Sequence, residues 1–206
     1  MKNKIILASS SPRRKELLTA MGVAFDVRPP QVNEDPLEGE SPLDTQHRIT
    51  REKARAVDGA SAIVIACDTT VLLDGEMLNK PQDAGDARRM LRALRNRAHE
   101  VQSCVVTLCD GEERVSCDSS MVHMRDYTDA EIEEYIASGD PFDKAGSYAV
   151  QHEAFHPVAR MRGCPLNVIG LPLCHLRQLL PHLPDPAPVC RAIRATLPPV
   201  DGAMCG

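Results

Sequence analysis

The run Leu7-Ala8-Ser9-Ser10-Ser11-Pro12-Arg13-Arg14 limits what this chain can fold into more than any other stretch. Residues 4–8 read as a short buried strand and Ser11 as an N-cap. Pro12 suits the first helical position, where its missing N–H costs nothing. Leu17, Leu18 and Met21 continue as an apolar stripe, and Gly22 is a stop. A strand therefore feeds a helix through a serine-rich turn. The unpaired N–H groups and positive dipole end of that helix make an anion site. The Ser9 hydroxyl and the guanidiniums of Arg13 and Arg14 stand where one phosphate could meet them all. An ordinary capped helix with a solvated basic first turn reads from the same residues, although basic residues there oppose the dipole and need some other reason to be present.

At 206 residues the chain can bury a core as one compact unit with a cleft. Its formal charge of -5 argues against general nucleic-acid binding, which depends on neutralising many backbone phosphates, but leaves room for a local basic pocket. With no Trp and 3% aromatics, base-stacking platforms are disfavoured as well. No apolar run is long enough to span a bilayer, and Met-Lys-Asn-Lys leads straight into a strand without the apolar core of a signal peptide. The expectation is no membrane partner and a cytoplasmic location. None of the eight cysteines forms a Cys-x-x-Cys pair, and Cys67, Cys104 and Cys109 sit in apolar strand-like runs. Reduced, structural thiols are expected rather than a disulfide framework or a metal cluster.

An acidic loop over residues 29–40 carries Glu34 and Asp35, and Ser41-Pro42 opens a helix running to about Val57. Residues 61–67 are apolar, branched and too few for a stable helix, so they read as a buried strand that ends on Asp68. Asp74-Gly75 and Asp110-Gly111 mark two hairpins. A helix lies between them over about residues 84–95. Thr128 with Glu131 forms a capping box for a helix stopped by Gly139. A last helix follows Pro172. Helices interspersed with strands and hairpins indicate an α/β fold with a mixed sheet. Residues 1–183 are expected to form the domain, and 184–206 a loosely attached Pro-rich tail with one short helix.

Asp68, directly after a strand, and Glu34, in a loop able to fold over that edge, could hold a divalent cation through oxygen ligands; a turn-forming Asp reads equally from Asp68 alone. Lys53 and Lys80 are surface lysines by position, but with Arg13 and Arg14 they could counter a triphosphate. His99 and His123 are acid-base candidates by residue type only and read as structural. Asp143, Lys144, Gly146, Ser147 and Gln151 form a loop whose terminal amide could hydrogen-bond a base edge.

Together these pieces resemble the Maf-like nucleotide pyrophosphatases, a family also described as septum-formation inhibitors, and within it the branch acting on dTTP and UTP. The resemblance rests on Leu7 to Arg14, Arg51-Glu52-Lys53-Ala54, Asp68-Thr69, Lys80-Pro81, His99-Glu100-Val101, Asp143-Lys144-Ala145-Gly146 with Tyr148 and Gln151, and Gly170-Leu171-Pro172-Leu173, in the family's order up to the tail. It implies a two-lobed mixed α/β fold similar to inosine-triphosphate pyrophosphatases, a central cleft as active site, and a homodimer. It further implies Asp68 as proton acceptor, and Glu34, Lys53 and Lys80 in the catalytic pocket. Arg13, Thr69 and Gln151 are implied in substrate choice. The expected reaction is cleavage of dTTP or UTP to the monophosphate and pyrophosphate, with magnesium or manganese held by Asp68 and Glu34, in nucleotide pool control. Two other readings are a division-inhibiting interaction protein of the same fold and a pyrophosphatase for a modified guanosine triphosphate. Cys67 stands where the family has alanine, Asn33 where it has aspartate, and His152 where it has glycine.

Overall fold

The structure, a computed structural model, describes residues 4–57, 59 and 61–201. The N-terminal Met-Lys-Asn and the last five residues of the expected tail lie outside the described residues. The strands are β1 (Lys4–Ala8), β2 (Asp26–Val27), β3 (Ala62–Leu73), β4 (Glu76–Leu78), β5 (Ala98–Cys109), β6 (Glu112–Met124), β7 (Val158–Arg162) and β8 (Val200–Asp201). They form one mixed eight-stranded sheet in the order β2-β1-β3-β5-β6-β7-β8, with β4 paired to β3 off this path. Helices α1 (Pro12–Ala20), α2 (Pro42–Arg55), α3 (Ala84–Leu94), α4 (Asp129–Ala137), α5 (Pro165–Ile169), α6 (Leu173–Leu179) and α7 (Ala187–Arg194) flank it.

Alternation along β1 sends Leu7 to one face and Ile6 and Ala8 to the other. Leu7 joins the large core with Leu18, Ile65, Leu91, Met124, Tyr127 and Leu166. Ile6 and Ala8 join a smaller cluster with Val64, Ala66 and Val106 beneath Ala54 of α2. The expected turns form: Asp74 and Gly75 have φ of 54° and 84°, and Asp110 and Gly111 of 49° and 82°, the paired positive values that two-residue hairpins require. The capping box at Thr128 and Glu131 also forms, and Gly139 follows α4 in the left-handed region.

Three expectations are corrected. First, the strand that seemed to end before Asp68 continues through it to Leu73. On one edge β5 pairs with β3 without interruption from Val64–Leu108 to Leu72–Glu100. On the other edge the parallel partner β1 ends at Ala8, opposite Ala66. Asp68 and Thr69 thus lie mid-strand beside a notch where β1 has stopped. Second, Cys104 and Cys117 are joined, with sulfurs 1.97 Å apart, so they are not reduced thiols. They sit directly opposite each other on β5 and β6, 4.1 Å apart at Cα, and such closeness in a cross-strand pair brings two thiols together. Third, residues 185–201 are not loosely attached. They bury Val189 and Cys190 of α7 in the core, and β8 adds to the sheet beside β7. Their proline content hid these apolar contacts. No helix among the described residues is long and apolar enough to cross a membrane.

Candidate functional site

The serine turn leaves β1 and is closed from within. Ser9 is buried, and its Oγ accepts from Ser11 N at 3.2 Å and from Arg14 Nη1 at 3.1 Å. Arg14 Nε donates to Gly170 O at 2.8 Å, and Nη2 donates to Thr69 Oγ1 at 3.1 Å. One planar guanidinium therefore fixes the turn, β3 and the end of α5 to one another, a use of its rigid fork that lysine could not reproduce. Gly170 makes this closeness feasible. Its φ is +121°, and a Cβ there would lie 3.2 Å from Thr69 Oγ1 and 3.7 Å from Arg14 Nε.

The hydroxyl protons in this corner can be assigned. Asn167 O only accepts, so Ser103 Oγ donates to it at 2.7 Å. Thr69 Oγ1 must then donate to Ser103 Oγ at 2.8 Å while accepting from Arg14. Its proton is committed, and toward a ligand Thr69 offers only a lone pair. The fully buried Asn167 side chain anchors the chain of bonds by accepting from Ser103 N at 2.7 Å and donating to Val101 O and Ser120 Oγ.

Opposite this corner, Lys53 reaches from α2 over β3. Its Nζ donates to Asp68 Oδ1 at 2.6 Å and lies 2.9 Å from Glu34 Oε1. The Lys53 side chain is 9% exposed, and a buried ammonium is tolerable only when paired in this way. Burial would raise the Glu34 carboxyl, but Lys53, with Lys80 and Arg14, outweighs it and holds the group below its ordinary value. Gln46, about two helical turns before Lys53, donates from Nε2 to Asp68 O at 3.1 Å and to Gln102 O at 2.8 Å, so α2 grips the strand that carries the carboxylate.

Between the serine turn and the α2 side lies a cleft of about 530 Å³. Ser9, Arg13, Arg14, Glu34, Lys53, Asp68, Thr69, Lys80 and Gln151 all line it, so the fold brings these candidates to one place. The loop bearing Gln151 is pinned at two points. Lys144, itself buried, binds Asp140 Oδ1 at 2.9 Å and Asp143 Oδ1 at 2.6 Å, while Asp143 Oδ2 accepts from Arg13 Nη1 at 3.2 Å. Tyr135 OH donates to Asp140 Oδ2 at 2.6 Å and accepts from Ala149 N at 3.1 Å. His99 and His123 lie away from the cleft. His99 Nε2 is 2.7 Å from Tyr148 OH, and burial, helped by His123, pushes its ring down to about 3, so it is neutral.

A family model described as Maf-like protein matches residues 4–183. The chain belongs to that family. It is 46% identical over 192 residues to a dTTP/UTP pyrophosphatase of Anaeromyxobacter dehalogenans, covering 91% of this chain and 98% of that protein. It is 45% identical over 188 residues to the protein of that name in Dictyoglomus thermophilum, covering 89% and 97%. The corresponding protein of Geobacter sp. (strain M21) is 44% identical over 182 residues, covering 85% and 94%.

Within this Maf-like chain, His152 occupies its unusual position by packing edge-on against Tyr135, ring centres 4.7 Å apart, while Nδ1 accepts from Phe155 N. Cys67 is buried beside Gly170 O, and its thiol is pushed up to about 11 by burial, which keeps it protonated and inert. The residues that sequence reasoning missed are those that position others, Gln46, Ser103 and Asn167, and Gly170 was read as part of a family motif without a positioning role. Asn167 carried a signal, being a lone amide in the apolar run Pro165-Leu166-Asn167-Val168-Ile169. Gln46 carried none, since it looks like any polar helix residue.

Proposed function

We propose that this chain hydrolyses dTTP and UTP between the α and β phosphates, giving the nucleoside monophosphate and pyrophosphate. The observation that carries the reading is one cleft lined both by the Ser9–Arg14 turn and Lys80 and by the Asp68 and Glu34 carboxylates with Lys53 bound between them. The shared name of the full-length relatives supports the same reaction. Ser9 and the Arg13 N–H at the start of α1 receive phosphate oxygens, and Arg13, Lys53 and Lys80 stabilise charge moving onto the leaving pyrophosphate. Arg14 positions Ser9 and Thr69 and adds its field. Lys53 occupies Asp68 Oδ1, and Oδ2, without a protein partner among the described residues, orients the attacking water and takes its proton.

Asp68 and Glu34 also suit a hard divalent cation, magnesium or manganese, because two anionic oxygens converge on one point now bridged by the Lys53 ammonium. Such an ion, when bound, neutralises phosphate oxygens. Gln151 reads the base. Uracil and thymine present an N3–H between two carbonyls, which an amide with one donor side and one acceptor side can pair. The reading includes a cytoplasmic homodimer acting on surplus or unwanted pyrimidine nucleotides.

A panel of nucleoside triphosphates, with pyrophosphate and orthophosphate measured separately, tests this. Fastest pyrophosphate release from dTTP and UTP, abolished by chelator and restored by magnesium or manganese, is expected. Preference for a modified guanosine triphosphate, or no turnover of any nucleotide, would overturn it in favour of another substrate class or an interaction protein.

A further inference from the structure

Asp68, Cys104 and Cys117 are consecutive partners across β3, β5 and β6, so their side chains share one face of the sheet, the face beneath α2. Lys53 covers the first of this row. The last is covered by His47, whose Nε2 lies 3.3 Å from Cys117 Sγ. One ligand atom from each of His47, Cys104 and Cys117 lies within 4.8 Å of the others. Cys104 is fully buried, while Cys117 and His47 are half-buried and give access from solvent.

We propose that, once the Cys104–Cys117 bond is reduced, these two thiolates and the His47 imidazole form a binding site for a zinc-class cation, separate from the hard-oxygen pair Asp68 and Glu34. An external dithiol supplies two electrons and two protons, leaving as its own disulfide, and the bond opens to two thiols. Binding of the divalent cation then displaces both thiol protons. Two sulfurs and an imidazole nitrogen select a soft or borderline metal over magnesium. Zn–S and Zn–N bonds of about 2.3 and 2.0 Å in a tetrahedron place sulfur and nitrogen roughly 3.5 Å apart, close to the present His47–Cys117 separation. The two sulfurs need only rotate apart. The fourth position falls to water, with the Gln46 and Gln102 amide oxygens 3.7 and 3.8 Å from Cys104 Sγ. Gln46 also donates to Asp68 O, so occupancy at this site bears on the strand that carries the cleft carboxylate.

Cobalt(II) reports thiolate ligation through a sulfur-to-metal charge-transfer band that oxygen ligands do not give. The full chain, reduced with a phosphine and freed of it without air, is titrated with cobalt and then zinc. One equivalent with the band, displaced by zinc, is expected for the reduced protein, and no band for the oxidised protein. His47→Ala should weaken binding by about tenfold or more. No band in the reduced protein, or a band that persists in the Cys104→Ser/Cys117→Ser double variant, would overturn the site. The oxidised and reduced wild type can be compared without any variant having to fold. Failure here leaves nucleotide hydrolysis untouched, because pyrophosphate release is read independently.

Discussion

Lys53 Nζ donates to Asp68 Oδ1 at 2.6 Å from a helix lying across the strand that bears the carboxylate. The lysine is buried and bound to Glu34 as well, so the two acids and one base act as a unit whose members cannot be altered independently.

Asp68→Asn should therefore lower kcat by about 10²- to 10⁴-fold while substrate binding stays measurable by calorimetry, because an amide keeps the hydrogen-bonding shape but takes no proton. Turnover close to wild type would remove Asp68 from its proposed role.

Gly170→Ala introduces a Cβ 3.2 Å from Thr69 Oγ1 at a φ of +121°. A stability loss of roughly 1–3 kcal/mol is expected from the backbone alone. A fall in kcat/KM should follow from displacement of Arg14 and Thr69. Gly39→Ala is the control, since it shares a positive φ of +81° but has open space around the added carbon. It should lose stability without losing activity, as judged by denaturant unfolding beside steady-state kinetics.

Most of the architecture could be read from sequence because its punctuation is strong: Ser11-Pro12, two Asp-Gly turns and the Thr128–Glu131 box each fix an end of an element. Ser9, Arg13, Arg14, Glu34, Lys80 and Gln151 were legible for the same reason, since they lie at element ends and in loops. Asp68 was misplaced within its strand because the boundary depends on β1 stopping at Ala8, a fact of pairing rather than of local pattern. The Cys104–Cys117 contact was latent: a two-residue turn at Asp110-Gly111 pairs Cys109 with Glu112 and, five steps on, Cys104 with Cys117. Cysteine spacing alone does not disclose that register. Lys53 looked solvated because its partners are remote in sequence.

His99 is buried, and its ring is pushed down to about 3, so unfolding takes up a proton wherever the unfolded ring is charged. Below its ordinary value near 6.5 the unfolded state binds more protons, and stability must fall as pH falls, until about pH 3. From pH 7 to pH 5 the loss should be about 2 kcal/mol from this residue. Urea unfolding at both pH values checks it. His99→Gln should flatten that difference, and an equally steep loss in the variant would exclude His99 as its source.

Gln151→Glu replaces the donor half of the amide with a second acceptor. Efficiency toward dTTP and UTP should drop at least about tenfold, from a mispaired polar edge worth roughly 1–3 kcal/mol, and much more than activity on a poor substrate. Equal loss on every nucleotide would show that Gln151 does not read the base.

The most direct test is hydrolysis of dTTP by the metal-supplemented enzyme in heavy-oxygen water, with the products separated and weighed by mass spectrometry. Attack at the α phosphorus, with pyrophosphate leaving toward Arg13, Lys53 and Lys80, should give dTMP carrying one heavy oxygen and unlabelled pyrophosphate. Release of orthophosphate with dTDP would contradict the proposed cleavage, and pyrophosphate carrying the label would contradict the proposed point of attack.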